Sequence, residues 1–340
     1  MRRAPSFWWE GRKGWQARAL SPLAWLYGAV AQHRMANGPR ATVESPVICI
    51  GNLTAGGGGK TPTALAIAKA ARQAGYAPGF LSRGHGGSLR APTLVEAWRH
   101  DASEVGDEPL LLAGAGPAAV ARDRLAGARL LIGAGCDFIV MDDGFQSQRL
   151  AADFSLVAVD AGRGLGNGAV IPAGPLRAPA EAQMRFADGV VVIGEGEGRE
   201  AGVRAGARAG KPVFEARLHA CGDPLAGERV LAFAGIARPG KFHETLAAMG
   251  ARIVAARDFP DHHPFTPAEI EALLAEAAGA GLTLVTTRKD AVRLKGRGAA
   301  AERLLSAARV VDVELLFDPP ETAARIVRHT LEAYRHRRFG

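Results

Sequence analysis

The stretch GNLTAGGGGKTP, residues 51–62, limits the possible folds more than any other part of the chain. An apolar run at 47–52, typical of a buried strand, leads into it, and a helical pattern at 62–74 follows it. A glycine-rich turn between a strand and a helix is the setting of a phosphate-binding loop, because backbone N–H groups and the positive end of the helix dipole face an anion there. We therefore expect a nucleotide to bind along the following residues: Thr54, Ala55, Gly56, Gly57, Gly58 and Gly59.

Lys60 and Thr61 supply the cation and the hydroxyl that such a loop needs. The lysine is expected at the β- and γ-phosphates, and the threonine hydroxyl is expected to bind Mg²⁺. Two positions depart from the usual patterns. Thr54 replaces the first glycine of G-x-x-x-x-G-K-[ST], and Ala55 stands where the variant loop KGGxGKT has a lysine. The strand–turn–helix setting still predicts a working loop, and a glycine turn without ligand is the alternative.

Two carboxylates follow a second apolar run. The segment FIVMDD at 138–143 ends in Asp142 and Asp143. Carboxyl ends of neighbouring parallel strands meet at one edge of a sheet, so these acids are expected beside Lys60 and Thr61, where they would hold Mg²⁺. The pattern does not decide which aspartate is nearer the metal, and capping of the next turn is the alternative.

Apolar runs alternate with helical patterns after residue 46, which predicts an α/β fold with a doubly wound, mostly parallel sheet of the P-loop NTPase type. We expect a P-loop domain at 41–212, a linker at 213–228 and a smaller α/β domain at 229–340 that closes over the site. A helical segment at 1–40 is expected to pack on the first domain.

Positive charge is concentrated in that N-terminal segment. The formal net charge is +8, and residues 1–40 contribute +6, from seven Lys and Arg against one acid. The segment also contains four of the five tryptophans. Cations mixed with indole rings suit an anionic membrane surface and argue against a nucleic-acid site, where cations spread over a groove or sheet face. Leu23, Leu26 and Val30 recur at helical spacing, which predicts an amphipathic membrane-surface helix; packing on the protein's own core is the alternative.

A series of short motifs adds a family resemblance. After the phosphate loop come SRGHG at 82–86, VGDEP at 105–109, DDGFQ at 142–146, GNG at 166–168 with PAGPLR at 172–177, FPDHHPF at 259–265 and TTRKD at 286–290. In this order they resemble the tetraacyldisaccharide 4′-kinase family, the lipid A 4′-kinases of Gram-negative bacteria. The resemblance runs from the basic N-terminal helix almost to the C-terminus.

The resemblance implies transfer of the γ-phosphoryl group of ATP to the 4′-hydroxyl of an acylated glucosamine disaccharide 1-phosphate, with Mg²⁺ as cofactor. It implies that Asp107 is the base and that His262 partners it, although His263 is an open alternative. Arg177 is expected to contact the substrate or the transferring phosphate, and Gln146 to order the metal–nucleotide site. Spacing alone also allows Asp107 to be a helix cap.

The lipid acceptor implies a peripheral enzyme at the cytoplasmic face of the inner membrane, with no obligate protein partner. A membrane-recruited P-loop ATPase or GTPase switch without a phosphate acceptor is the alternative function. Two positions depart from the family pattern: His85 stands where tyrosine is usual, and Ala178 stands where glutamate is usual. Arg124, on a predicted helix, is expected to be solvated, and a phosphate contact is the alternative.

Overall fold

Twelve strands and thirteen α-helices alternate within residues 4–11, 14–38, 40–147 and 149–340, which the computed structural model describes. The strands are β1 (Val47–Asn52), β2 (Pro78–Ser82), β3 (Thr93–Leu94), β4 (Ala118–Val120), β5 (Phe138–Asp142), β6 (Phe154–Asp160), β7 (Gly189–Ile193), β8 (Val213–Cys221), β9 (Arg229–Ala234), β10 (Arg252–Asp258), β11 (Thr283–Thr287) and β12 (Ala308–Asp318). The helices are α1 (Trp15–Ala19), α2 (Ser21–Asn37), α3 (Lys60–Gln73), α4 (Ala102–Val105), α5 (Asp107–Ala113), α6 (Arg124–Gly133), α7 (Ala180–Met184), α8 (Arg199–Arg208), α9 (Pro239–Ala248), α10 (Pro267–Ala280), α11 (Arg288–Leu294), α12 (Ala299–Ala307) and α13 (Thr322–Phe339). The predicted α/β class is confirmed.

One sheet contains all twelve strands, in the order β10-β9-β11-β12-β8-β7-β6-β1-β5-β2-β4-β3. Neighbours are parallel except at two places, β8 with β12 and β3 with β4. The sheet therefore consists of two parallel sets joined through the antiparallel pair β8–β12. We call the set from β8 to β3 with its helices the first half, and the set from β10 to β12 with its helices the second half.

The long strands β8 and β12 explain why the two halves face each other. The pairing of β8 with β7 ends at Ala216, opposite Ile193, and β8 then continues to Cys221. Likewise β12 pairs with β11 up to Val311 and continues to Asp318 along β8. Each strand thus runs beyond the carboxyl end of its own parallel set. The two carboxyl edges face each other across about 20 Å, since Phe317, opposite Ala216, lies six residues beyond Val311 and each residue of strand rises about 3.3 Å.

Apolar side chains cover both faces of each half. In the first half, one core packs under α3 and another lies on the opposite face against α6 and α8, while two smaller cores sandwich the strands of the second half. The C-terminal helix α13 returns to the first half, where Ile326 and Val327 are buried in the core against α3. The cleft between the facing edges is where loops from both halves converge.

The N-terminal segment packs on the loop that follows β6. The indole Nε1 of Trp8 donates to the carbonyl of Pro172 at 3.0 Å, and Asn167 donates its side-chain Nδ2 to the carbonyl of Phe7. In α2 the small residues Ala24 and Gly28 face the protein. Large apolar side chains of this segment are exposed, namely Trp15, Leu23, Trp25, Leu26, Tyr27 and Val30.

A helix is thus present at 21–37, but its amphipathic character is not confirmed, because apolar residues lie on its buried and its exposed side alike. Four cations of the predicted basic segment, Arg2, Arg3, Arg12 and Lys13, lie outside the described residues. Across the described residues, no helix combines the length and the apolar composition that crossing a membrane requires.

The division into domains stays a prediction. The span expected as a linker, 213–228, contains β8, which pairs with strands on both sides. The chain therefore crosses from the first half to the second through a strand of the sheet.

Candidate active site

The loop after β1 turns tightly over the sheet. Gly59 ends it with φ of 81°, a left-handed conformation that a side chain disfavours, and a Cβ there would lie 2.6 Å from Ile193 Cδ1. Asn52 braces the loop by donating its side-chain Nδ2 to the carbonyl of Gly56 at 2.9 Å. The sequence folds this way because only glycine tolerates both the backbone angle and the close approach of β7.

Lys60 and Thr61 open α3 beside Asp142, the last residue of β5, and Asp143, which follows it. The Nζ of Lys60 lies 3.7 Å from Asp143 Oδ1. The Thr61 hydroxyl donates to Asp142 Oδ2 at 3.1 Å. Asp142 Oδ1 is buried and has no hydrogen-bond partner among the described residues. An unpartnered carboxylate oxygen beside a threonine hydroxyl is a donor set that fits Mg²⁺.

The two aspartates differ in charge state. Burial raises the pKa of Asp142 to about 7, and the nearby charge of Glu108 adds to this. Burial acts in the same direction on Asp143, but the positive charges of Lys60 and Arg177 outweigh it and lower the pKa of that carboxyl below its ordinary value. Asp143 is therefore ionised beside its two cationic neighbours. Below neutral pH, Asp142 is ionised only when a bound cation offsets its burial.

Arg177 and Gln146 lie above the phosphate loop. Arg177 donates to Asp143 Oδ1 at 3.1 Å, to Gln146 Oε1 at 3.2 Å and, through Nε, to the carbonyl of Thr54 at 3.2 Å. The backbone N–H of Ala55 donates to the carbonyl of Pro175 at 2.7 Å. The structure therefore brings both predicted residues to the loop, with the guanidinium of Arg177 placed where a phosphate oxygen could replace its carboxylate contact.

Arg124 is buried, so the expectation that it is solvated is wrong. Its Nη1 donates to the carbonyl of Ala121 at 2.5 Å and its Nη2 to the carbonyl of Asp143 at 3.3 Å. The side chain fixes the backbone at the end of β5. Helical periodicity could not show this, because the burial comes from the neighbouring loop.

Asp107 stands on the opposite wall of the cleft, at the first position of α5. Its Oδ1 accepts the backbone N–H of Glu108 at 3.0 Å. The Nδ1 of His262, a residue 155 positions away, lies 2.9 Å from Oδ2. His263 instead contacts Glu269 at 2.9 Å. Of the two histidines, the one that reaches Asp107 is His262.

Two residues other than glycine have positive φ within the described residues, and both are in this cleft. They are Asp143, with φ of 54°, and His262, with φ of 60°. Left-handed backbone is uncommon outside glycine, costs on the order of 1 kcal/mol or more, and collects at functional sites. In His262 it accompanies a turn in which His263 N–H donates to the carbonyl of Pro260.

The electrostatics of the pair favour a carboxylate and a protonated imidazole. Burial of Asp107 would raise its pKa, but the hydrogen bond from His262 and the charges of Lys289 and Arg293 prevail and hold that pKa well below the usual range. The same hydrogen bond raises the pKa of His262. Asp107 is therefore ionised throughout the ordinary pH range.

Three charged residues of the cleft were not assigned from the sequence: Glu108, Lys289 and Arg293. Lys289 Nζ lies 2.9 Å from Glu108 Oε1, and Arg293 contacts Asp107. The charge of Lys289, followed by that of Lys60, lowers the pKa of Glu108, so Lys60 acts electrostatically across the cleft. The sequence contains one indication of this cluster: Arg293 follows Asp290 by three positions, a spacing at which two charged side chains of a helix can pair.

The two departures from the family pattern also lie near the site. The ring of His85 is 6.0 Å from that of His262, centroid to centroid, so an imidazole occupies that side of the pair. Ala178 is buried, and its carbonyl accepts a hydrogen bond from Gln183 at 2.7 Å. Neither change removes a contact of Lys60, Thr61 or Asp107.

Comparison with known proteins agrees with the motifs. The sequence profile of the family described as tetraacyldisaccharide-1-P 4′-kinase matches residues 16–331. A protein of Agrobacterium fabrum named tetraacyldisaccharide 4′-kinase is 51% identical over 325 residues, which cover 95% of this chain and 93% of the relative. A protein of the same name from Rhizobium etli is 50% identical over 337 residues, 99% of this chain and 97% of the relative.

A solved structure supports the fold. The LpxK protein of Aquifex aeolicus, crystallised in complex with ATP, matches with a TM-score of 0.72 at 24% identity, over 92% of this chain and 99% of that one. At this identity the likeness concerns the fold. The profile match and the two relatives cover nearly the whole chain, and on that basis the chain belongs to the tetraacyldisaccharide-1-P 4′-kinase family.

Proposed function

We propose that this protein transfers the γ-phosphoryl group of ATP to the 4′-hydroxyl of a tetraacylated glucosamine disaccharide 1-phosphate, a lipid A precursor. One observation carries the proposal. A phosphate-binding loop from one half and a carboxylate–imidazole pair shared by both halves line the same cleft. Such a cleft can hold a nucleotide on one wall and an alcohol on the other, with water excluded between them.

The nucleotide side neutralises the developing charge. The glycine amides from Gly56 to Gly59 and the start of α3 would hold the phosphates, with Lys60 at the β- and γ-phosphates. Thr61 and Asp142 or Asp143 would hold Mg²⁺, which would supply positive charge next to the phosphates. Arg177 supplies a further cation next to Thr54 and can move from Asp143 to a phosphate oxygen.

The acceptor side positions the hydroxyl. As the sugar oxygen forms its bond to phosphorus and the bond to ADP breaks, the hydroxyl proton passes to Asp107. A carboxylate with a strongly lowered pKa is a weak base, but phosphoryl transfer passes through a loose transition state that demands little base strength. Asp107 therefore acts chiefly by accepting the hydroxyl hydrogen bond and aligning the oxygen with the γ-phosphate.

The acceptor is a lipid, and the exposed side of α2 suits a membrane surface. Trp25, Leu23 and Leu26 are exposed together on a helix that packs by its small residues. We infer that this segment rests on the cytoplasmic face of the inner membrane and delivers the cleft to the headgroups. Phe7 and Trp8, which precede α1 and α2, contact Asn167 and Pro172 of the loop that carries Arg177.

A label-transfer assay tests the function. Purified protein is incubated with γ-labelled ATP, Mg²⁺ and the disaccharide 1-phosphate in detergent micelles, and the label in the lipid fraction is counted. We expect rapid transfer by the wild type and loss of transfer in Lys60→Ala and Asp107→Ala. Absence of label in the lipid despite ATP hydrolysis would contradict the kinase proposal and support a nucleotide switch. Normal transfer by Asp107→Ala would contradict only the role of that carboxylate.

A further inference from the structure

Arg293 of α11 is a buried arginine that the sequence motifs did not assign. Its Nε and Nη2 donate to Asp107 Oδ2 at 2.9 and 2.6 Å. Its Nη1 donates to the carbonyl of Gly235 at 2.5 Å and to Asp290 Oδ1 at 2.7 Å. All three guanidinium nitrogens are therefore engaged, and a planar group held at three nitrogens keeps one orientation.

The same main-chain oxygen also holds His262. The carbonyl of Gly235, just after β9, accepts the backbone N–H of His262 at 3.1 Å as well as the bond from Arg293. Both side chains that contact Asp107 Oδ2 are thus tied to one point of the second half. The position of Asp107 relative to that half depends on both contacts together.

The contacts distinguish the two oxygens of Asp107. Oδ2 accepts three hydrogen bonds, two from Arg293 and one from His262 Nδ1. Three donors exhaust the capacity of a carboxylate oxygen. Oδ1 accepts the backbone N–H of Glu108 at 3.0 Å and retains a lone pair.

We propose that Arg293 is a positioning residue for phosphoryl transfer: it occupies Oδ2 of Asp107 and thereby presents Oδ1 to the attacking hydroxyl. The proton of the hydroxyl then moves to Oδ1 as the oxygen–phosphorus bond forms and ADP departs. This inference rests on the proposed function, in which Asp107 receives that proton.

The charges around Asp107 give the inference a distinctive consequence. The carboxylate faces Arg293, Lys289 and the acidic Asp290 from α11, His262 from the loop after β10, and Glu108 from its own helix. Replacing Arg293 by alanine removes a cation and two donors but leaves Asp107 buried. The pKa of Asp107 then rises, so protonation of the carboxyl becomes limiting at acidic pH, where it does not limit the wild type.

The test measures kcat and KM against pH for the wild type, Arg293→Ala and Arg293→Lys in the label-transfer assay. For Arg293→Ala we expect kcat to fall roughly 10- to 100-fold, as for a misplaced reacting group, with little change in KM for ATP. Its kcat should also fall further on the acidic side. Arg293→Lys retains the charge without the paired hydrogen bonds, so its kcat should lie between those of the wild type and Arg293→Ala. An equal loss at every pH would indicate a purely structural role and overturn the proposal.

A second variant pair keeps the test valid even where Arg293→Ala loses stability. In the Asp107→Asn background, replacing Arg293 by lysine should cost almost nothing more, because the residue acts through that carboxylate. The same fold loss in both backgrounds would contradict the proposal. Full activity of Asp107→Asn itself would instead refute the proposed role of Asp107.

Arg297→Ala is the matched control. Arg297 also reaches across to the first half, 3.7 Å from Asp101, but it is exposed and does not contact Asp107. We expect it to keep the wild-type kcat and pH profile. A loss equal to that of Arg293→Ala would show that any ion pair across the two halves matters equally, and the proposal would fail. Thermal melting and circular dichroism verify that each variant is folded.

Discussion

The two walls of the cleft are built in different ways. The phosphate wall comes from the first half alone: from residues 52–61 and 142–146, at the carboxyl ends of the adjacent strands β1 and β5, and from Arg177 in the loop after β6. The acceptor wall joins Asp107 of the first half to His262 and Arg293 of the second, which are 155 and 186 positions away. One wall is complete within a single parallel sheet, whereas the other exists only where two sheet edges face each other.

The two walls should therefore contribute differently to binding and to turnover. Loss of a group on the phosphate wall should weaken both nucleotide binding and charge neutralisation. Loss of a group on the acceptor wall should leave nucleotide binding intact and reduce only the alignment of the hydroxyl, which appears in kcat. The following variants test this separation.

The largest effect is expected for Lys60→Ala. Lys60 lies between the loop and Asp143, and its ammonium is the cation that would stabilise the transferring phosphoryl group. We expect kcat/KM to fall by about 1,000-fold, the order found for a preorganised charge-stabilising donor, together with weaker ATP binding. Label transfer and nucleotide titration measure the two quantities. Unchanged ATP affinity would show that the lysine does not belong to the phosphate wall.

A smaller effect confined to turnover is expected for His262→Gln. The glutamine cannot supply a positive charge to Asp107, so alignment weakens and kcat should fall roughly 10- to 100-fold with ATP affinity unchanged. His263→Gln is the matched control, because that neighbour contacts Glu269 and stacks on Phe259, at 4.9 Å between ring centroids. Equal losses of kcat in the two variants would contradict a specific role of His262 on the acceptor wall, because a loss of local stability would then explain both.

The same contrast explains how much the sequence could show. The apolar runs at 47–52 and in the segment 138–143 form β1 and β5, because buried parallel strands are continuous apolar runs. The phosphate loop is a contiguous motif and was predicted residue by residue.

What the sequence missed depends on distant neighbours. β8 has many half-exposed side chains, since it forms the ribbon between the halves, and it therefore lacks a continuous apolar run. Arg293 and Lys289 are a buried arginine and a half-buried lysine, and their partners Asp107 and Glu108 come from α5. The local sequence shows only the spacing of Arg293 from Asp290, which does not reveal the contacts with α5. The assignment of His262 came from the family resemblance, which left His263 open as an alternative.

The exposed apolar side chains of α2 give a further prediction, a change of about tenfold in binding to lipid vesicles. Replacing Trp25 and Leu26 by glutamate removes two exposed apolar side chains whose partial burial at the headgroup boundary would stabilise membrane binding. We expect at least about tenfold weaker binding to vesicles containing anionic lipid, and unchanged turnover on acceptor dispersed in detergent. Trp98→Glu, an exposed tryptophan outside the segment, is the control. Equal loss of vesicle binding in the control would refute the role of the segment.

The smallest effect concerns pH-dependent stability. The pKa of His262 is raised in the folded protein by its hydrogen bond with Asp107, so this contribution is fully present below the ordinary histidine pKa and is lost as pH rises through the folded value. We expect His262→Gln to lower the free energy of unfolding by about 1–2 kcal/mol at pH 5.5, and by less at pH 8.5. Urea titration at both pH values measures the difference. A larger loss at pH 8.5 would contradict the protonated imidazole.

The most direct measurement is a crystal structure of the wild-type protein with a non-hydrolysable ATP analogue, Mg²⁺ and the disaccharide acceptor. The two-wall account predicts the γ-phosphate beside Lys60, and the 4′-oxygen between that phosphorus and Asp107 Oδ1, with Oδ2 still held by Arg293 and His262. A triphosphate bound away from Lys60, or an acceptor oxygen on the far side of Asp107, would contradict it.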